Sequence, residues 1–345
     1  MGKTTLYIIG NGFDRAHNLP TSYICFYNYL KGHHNNMFIS NLNDIFPELD
    51  DNKENWHHFE AQLSNFIVDS DINDGIKDDL KTLEYYDEGF DDYELVPTFI
   101  DAHLKKYNDT IVILRQKFRD WITDVMIENS TPIYKFADNS IFLNFNYTLT
   151  LEILYGISES KVHHIHGKVG DKELIIGHSW DYNVTVDSIE GRFIETPDGE
   201  VLDTLEEVII EKSEAKQIIQ QYDSSESNKR IFNEFRHKII SPLQKNCSDI
   251  IESSNFFNKL ENLKIKEIYV LGHSLSEVDM PYFHELNESV SSECLWNIVY
   301  YADDKDRNRN AAISAMKVMG IDEERYRLLT WDEYESHAGI HNTAK

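Results

Sequence analysis

The sequence predicts an α/β protein with a Rossmann-like, mainly parallel sheet, interrupted by a large helical insertion and a smaller polar one. Three observations carry this. A short apolar run, Leu6 to Ile9, stops abruptly at Gly10-Asn11-Gly12, as a buried strand does before a tight turn. Apolar runs rich in β-branched or aromatic residues recur at Ile141 to Phe145, Val162 to Ile165, Leu174 to Ile176, Ile268 to Leu271 and Asn297 to Tyr301, the pattern of strands buried on both faces. Helical periodicity alternates with these runs, and the long gaps between them leave room for the insertions.

The elements follow in order. After the first strand and turn, Thr21 or Ser22 caps a helix whose apolar face is Tyr23, Phe26, Tyr27 and Leu30. From about residue 40 to 137 the period is helical: Trp56, Phe59, Leu63 and Phe66 share one face, and Ile111, Leu114, Phe118, Trp121 and Val125 another. Thr148 caps a helix starting near Leu149. Residues 181–254 form the polar, partly helical insertion: a Pro197-Asp198-Gly199-Glu200 turn between two strands, a helix-compatible stretch at 204–221 and an exposed linker from Asp223 to Lys229. The α/β core is then 1–35, 138–180 and 255–335, within a single domain of 1–345; a length of 345 residues fits one large domain with insertions or two domains.

Composition narrows the function. Thirty-three Lys and Arg against 60 Asp and Glu leave a net charge of −27, which repels phosphate backbones and anionic lipid, so direct nucleic-acid binding is not expected. Cys25, Cys247 and Cys294 are far apart and in no CxxC spacing, which encodes neither a disulfide framework nor a thiolate zinc site and suits a reducing cytosol. No uninterrupted apolar run reaches the roughly 18 residues that span a bilayer, so the expected location is cytoplasmic, with no membrane partner.

Unusual polar residues cluster just after the strands, where open parallel sheets bind ligands. Gly10-Asn11-Gly12-Phe13-Asp14, running on to Thr21-Ser22-Tyr23, lets the backbone approach a pyrophosphate and offers it a helix start. Lacking the third glycine of GxGxxG, the segment fits a tight strand-to-helix turn equally well. At the next strand end, Asn146 carries a donor and an acceptor for a water or ribose hydroxyl, although Asn is also a common turn former. In Val162-His163-His164-Ile165-His166-Gly167, strand geometry turns His164 and His166 one way and His163 the other, so the three do not converge on a metal. His178 or His273 could complete a zinc or manganese shell, but no HExxH pattern accompanies them, and His166 reads as a base or a structural histidine; no metal is expected. Gly167 clears space beside His166. Gly272-His273-Ser274 ends a buried strand and offers the Ser274 hydroxyl and N–H to ribose or phosphate, without the GxSxG of a serine nucleophile. Asp279 reads as a helix cap with Pro281 in the first turn, and Glu60, beside Trp56 and Phe59, as a solvated or salt-bridged carboxylate. Arg230 and Arg236, with Phe232 and Phe235, read as packing plus surface charge.

Taken as a set, IIGNGFDRAHNLPTSY, NWHHFE, LNFNYTLTLE, VHHIHGKV with IIGH, and YVLGHSLSEVDMPYF resemble the AbiH family of bacteriophage abortive-infection proteins, from residue 6 to about 312. The order of Gly-x-Gly, strand-end Asn, His-Gly and Gly-x-Ser-Leu also resembles sirtuin-like NAD-binding domains. That resemblance implies His166 as catalytic base, Asn146 as orienter of water and the nicotinamide ribose, and Gly10, Asn11, Gly12, Asp14, Thr21, Tyr23, Gly272, His273 and Ser274 around NAD or a related nucleotide. Thr148 stands where the sirtuin pattern often has Asp, and the cysteine pairs of the sirtuin zinc module are absent, which argues against protein deacylation and leaves NAD cleavage open. The implied function is an anti-phage effector that hydrolyses NAD to nicotinamide and ADP-ribose, with a phage-derived trigger, a partner subunit or a second copy of the chain as partner. Two rivals remain: a metal-dependent nuclease or phosphohydrolase using His164, His166 and His178, and a non-catalytic nucleotide-binding sensor or scaffold.

Overall fold

The computed structural model describes residues 4–33, 36–49, 56–63, 104–179, 243–260, 262–302 and 306–337. Its centre is a six-stranded, all-parallel sheet of β1 (Thr4–Ile9), β2 (Ser140–Asn144), β3 (Val162–His164), β4 (Ile265–Leu271), β5 (Leu295–Tyr300) and β6 (Tyr326–Thr330). The strand order is β3-β2-β1-β4-β5-β6, the doubly wound order of nucleotide-binding α/β folds. β1 is buried along its whole length, because it pairs with β2 on one edge and β4 on the other. Alternation splits the side chains of the sheet between two cores. Leu6, Ile8, Leu143, Val270 and Trp296 fill one, while Tyr7, Ile9, Phe142, Leu271 and Val299 fill the other.

Register aligns the strand ends. His164, Asn144, Ile9, Leu271, Val299 and Leu329 lie in one row across the sheet, each paired with the next. Residues just beyond this row therefore emerge along a single edge. The chain runs outward from β1 in both directions, so the gap between the β1 and β4 ends is the topological switch point.

A third core is helical. Tyr107, Ile111, Leu114, Phe118 and Trp121 recur at helical spacing along Lys105–Thr123 and pack with Phe26, Trp56, Phe59 and Leu63. Ser22 caps the helix Tyr23–His33 as expected, accepting from the Cys25 N–H at 3.3 Å.

Several expectations need correction. Leu174 to Ile176 is not a strand; this stretch leads into Gly177, whose φ of +146° turns the chain toward a single bridge between His178 and Gln244. β6 was not anticipated, because YRLLT is short, edge-placed and interrupted by Arg327. Val125 leaves the helical face to pack with Leu19 and Ile127. Thr148 does not cap the helix Thr150–Tyr155; Leu149 holds that position without a side-chain bond. Phe66, the Pro197-to-Glu200 turn, the 204–221 stretch, the 223–229 linker and the Arg230–Arg236 segment lie outside the described residues. Among the described residues, no helix is long and apolar enough to cross a membrane.

Candidate functional site: a buried acid–base cluster

The two glycine loops close on one another. Gly12 N–H donates to the Gly272 carbonyl at 2.8 Å, and Gly10 N–H to the Leu271 carbonyl at 3.0 Å. A Cβ on Gly10 would stand 2.4 Å from His273 Cα, and one on Gly12 2.7 Å from Gly272 Cα. Gly10, Gly12 and Gly272 are thus required by the close approach of these loops. Asn11 accepts from Thr21 Oγ1 at 2.6 Å, which ties the first turn to the start of the next helix.

Asp14 turns inward. Its two oxygens accept from Thr148 Oγ1 at 2.6 Å and Thr150 Oγ1 at 2.7 Å. Asn146 lies against the same loop, its Nδ2 donating to the Gly10 carbonyl at 3.1 Å. Asp14 and Asn146 therefore brace the β1 and β2 loops together.

The three histidines of the β3 segment have three separate surroundings, because the strand ends at His164. His163 Nε2 meets Ser254 Oγ at 3.1 Å, and its ring stacks on Phe256. His164 Nε2 pairs with Glu152 at 2.9 Å. His166 lies beyond the strand end, between the rings of Phe145 and Tyr282, each 5.5 Å away between centroids. Gly167 adopts φ +83°, so its glycine serves the turn after His166.

Around His166 the structure gathers ionisable groups from distant parts of the chain. Asp279 faces it, Oδ1 standing 3.7 Å from His166 Nε2, and the other oxygen is 3.4 Å from His273 Nε2. His273 Nδ1 accepts from the Leu275 N–H at 2.9 Å, which leaves the ring proton on Nε2, toward Asp279. Lys245 Nζ is fully buried and donates to Glu60 Oε2 at 2.9 Å and Asp279 Oδ1 at 3.3 Å. Tyr147 OH donates to the Ile175 carbonyl at 2.7 Å and faces Glu60 Oε1 at 3.5 Å; Tyr23 also hydrogen-bonds Glu60. Lys245 owes its place to the IIGH segment: His178 N–H donates to the Leu243 carbonyl and Lys245 N–H to the His178 carbonyl. A Cβ on Gly177 would collide with Leu243 O at 1.9 Å, so this crossing needs glycine.

The electrostatics follow. Burial alone would raise Asp279, but Lys245 and the two histidines outweigh it and hold the carboxylate far below its usual range. Burial alone would lower Lys245, yet Asp279 and Glu60 keep its ammonium charged. Glu60 is pushed up by burial, against Lys245 and with Asp279. Burial and then Lys245 push His166 well below its ordinary value, so its imidazole is neutral, and Nε2 is buried without a hydrogen-bond partner among the described residues. With both carboxylates ionised, the trio of Glu60, Lys245 and Asp279 carries one net negative charge. Such an arrangement holds His166 unprotonated at rest, with Asp279 at 3.7 Å to favour the imidazolium when the ring takes a proton.

Compared with the sequence reading, His166, His273 and Tyr23 do come together in one cluster. Gly10, Asn11, Gly12, Asp14, Thr21 and Gly272 are engaged with other parts of the protein, Asn146 turns to the glycine loop, and Ser274 is exposed. Asp279 is at the helix N-cap position but makes no capping bond; its side chain belongs to the cluster. Glu60 is salt-bridged and nearly buried. Lys245 was missed, since nothing in SPLQKNCS marks it. Among the described residues, no three His, Cys, Asp or Glu side chains are arranged to hold a metal ion, and His164, His166 and His178 do not form one shell. A cavity of about 250 Å³ lined by Phe136, Ser140, Phe142, Tyr155 and Lys161 lies at the opposite, amino end of β2 and holds none of these groups.

Fold and site define the class: a doubly wound, Rossmann-like α/β protein with a buried His–Asp–Lys–Glu cluster at the carboxyl edge of its sheet. The chain belongs to the bacteriophage abortive infection AbiH family, whose pattern it matches over residues 6–300. All five of Glu60, His166, Lys245, His273 and Asp279 fall within that match. The family places the protein in abortive infection, a defence against bacteriophage. Neither curated proteins nor solved structures give a match to the chain.

Proposed function

We propose that this abortive-infection protein binds NAD or a related nucleotide beside the switch point and cleaves the bond between nicotinamide and ribose. The observation that carries the reading is His166, a neutral imidazole whose buried Nε2 is unbonded two residues beyond a strand end. Water loses a proton to Nε2 as its oxygen bonds to the ribose C1′, and the C1′–N electron pair leaves with the neutral nicotinamide. No general acid is needed, because the ring departs from a cation. With Glu60 ionised, the trio of Glu60, Lys245 and Asp279 carries one net negative charge, which suits the positive charge that builds on the ribose in such a transition state. With Asn146 Nδ2 committed to Gly10, its orienting role falls on Oδ1. Depletion of NAD would account for growth arrest of the infected host.

The test incubates the protein with NAD, with and without phage lysate, and follows free nicotinamide by chromatography beside His166→Ala. Release that disappears in the variant is the expected result. No release under any condition, with NAD also failing to raise Tm, would overturn it. One observation favours a second reading: the glycine loops fill their own gap by contact, which suits a sensor or scaffold that needs no nucleotide there. Phage protection that survives His166→Ala would favour that alternative.

A further inference from the structure

His166 sits beside a carboxylate and yet makes no hydrogen bond to it, which is unusual for a buried imidazole. The oxygen it faces, Asp279 Oδ1, is the one already taken by Lys245 Nζ. Lys245 is fixed there from its other side by Glu60 at 2.9 Å. Both the ammonium and the imidazole point at one acceptor, and the ammonium, fully charged and closer, holds it. Asp279 Oδ2 is meanwhile occupied by His273. A carboxylate oxygen can accept more than one hydrogen bond, but the nearer, charged ammonium draws on Oδ1, and His166 Nε2 stays at 3.7 Å, outside hydrogen-bond distance.

We infer that Lys245 is a positioning residue: clamped between Glu60 and Asp279, it occupies the oxygen His166 would otherwise donate to and so keeps the His166 Nε2 lone pair free to take a proton. In a pair of histidine and aspartate alone, the imidazole presents an N–H to the carboxylate and that nitrogen cannot act as a base. Lys245 reverses this without touching the reacting atoms. The groups facing His166 are all consistent with it: Asp279 and His273 from the segment after β4, Lys245 ahead of the helix Cys247–Ser253, Tyr147 after β2 and Tyr282 from the helix Met280–Ser289. Burial and the Lys245 charge both disfavour imidazolium and so keep Nε2 unprotonated at rest, while Asp279 is the group that favours the ring once it has taken a proton. The assignment rests on His166 as the base of the proposed reaction, but it is a statement about where a proton sits and can be read without any substrate.

The experiment uses the full chain labelled with 15N in its histidine rings. Long-range 1H–15N spectra distinguish a protonated from an unprotonated ring nitrogen, and the His166 signals are assigned by their loss in His166→Ala. In the wild type, His166 Nε2 is expected to be unprotonated at neutral pH. In Lys245→Met, Oδ1 is released and Nε2 is expected to shift to the protonated position; Lys245→Arg, which keeps the charge, is expected to restore the wild-type signal. NAD cleavage in Lys245→Met should fall about 100-fold, the scale of losing a general base. If Lys245→Met does not fold, the double variant Lys245→Met/Glu60→Gln removes the cation together with one of its anions, and the same shift is expected. A protonated Nε2 in the wild type, or an Nε2 unchanged in whichever of Lys245→Met and the double variant folds, overturns the assignment. The expected spectra without any nicotinamide release would instead refute the NAD reading and leave the role of Lys245 standing.

Discussion

Asp14 is 1% exposed and accepts from two threonine hydroxyls, at 2.6 Å and 2.7 Å. The hydroxyls favour its anion, but burial is the larger effect and lifts its pKa from 3.8 to about 6. Its folded-state pKa lies above the unfolded value, so between those two values the native state binds the proton more tightly. The stability this group contributes is present in acid and is lost as pH rises through about 6. Asp14→Asn keeps the shape and removes the titration. In urea unfolding, the wild type should lose about 2–3 kcal/mol relative to the variant between pH 4 and pH 7.5. A difference between the two proteins that does not move with pH would show that Asp14 titrates normally. At this scale the sequence was only partly legible. Asp14 read as a nucleotide contact because its partners, Thr148 and Thr150, are 134 and 136 residues away in the chain. Lys245 could not be read at all, since its partners are 185 residues before it and 34 after it and its local sequence is unremarkable.

Among elements, the strand–turn junctions were the most legible part. An apolar run stopped by glycine identifies a strand end wherever the chain must turn at once, and β1 and β4 both do so. The function of those glycines was less legible, because backbone freedom fits a phosphate and a neighbouring loop equally well. Here the neighbour is a loop. Gly272 has φ +71°, and a Cβ on it would lie 2.3 Å from Phe13 N, whereas Gly320 has φ +66° with nothing among the described residues within 4 Å. Gly320→Ala should therefore cost only about 1–2 kcal/mol, the penalty of the left-handed conformation. Gly272→Ala should cost about 2–4 kcal/mol, because overpacking against backbone that cannot yield adds to that penalty. Urea midpoints of the two variants decide this. Equal losses would mean that the loops separate easily, which would in turn leave room for a ligand between them. Leu174 to Ile176 failed as a strand for a related reason: apolar character signals burial, but the segment buries itself against the helical core and hands the chain to the Gly177 crossing.

At the scale of the whole molecule, two kinds of electrostatics act on the same chain and respond differently to salt. The net charge of −27 is spread over the sequence, and its self-repulsion opposes the compact state. Ions screen it, since the Debye length falls from about 30 Å at 0.01 M to about 8 Å at 0.15 M. The cluster of Glu60, Lys245 and Asp279 is different: its side chains are 12%, 0% and 9% exposed, so little solvent reaches it. It also joins three stretches widely separated in sequence, so whatever weakens it loosens the helical region from the sheet. Raising NaCl from 0.02 M to 0.3 M should stabilise the protein by roughly 1 kcal/mol, about 1–2 °C in Tm for a chain of 345 residues. Breaking the cluster with Lys245→Met should cost about 3–5 kcal/mol, since two buried carboxylates lose their cation. The two effects should add: the Lys245→Met loss, measured by urea unfolding, is expected to be the same at both salt concentrations. A loss that shrinks markedly in 0.3 M NaCl would place Lys245 in contact with solvent ions, and the cluster could not then be the closed, proton-controlling centre that the His166 geometry requires.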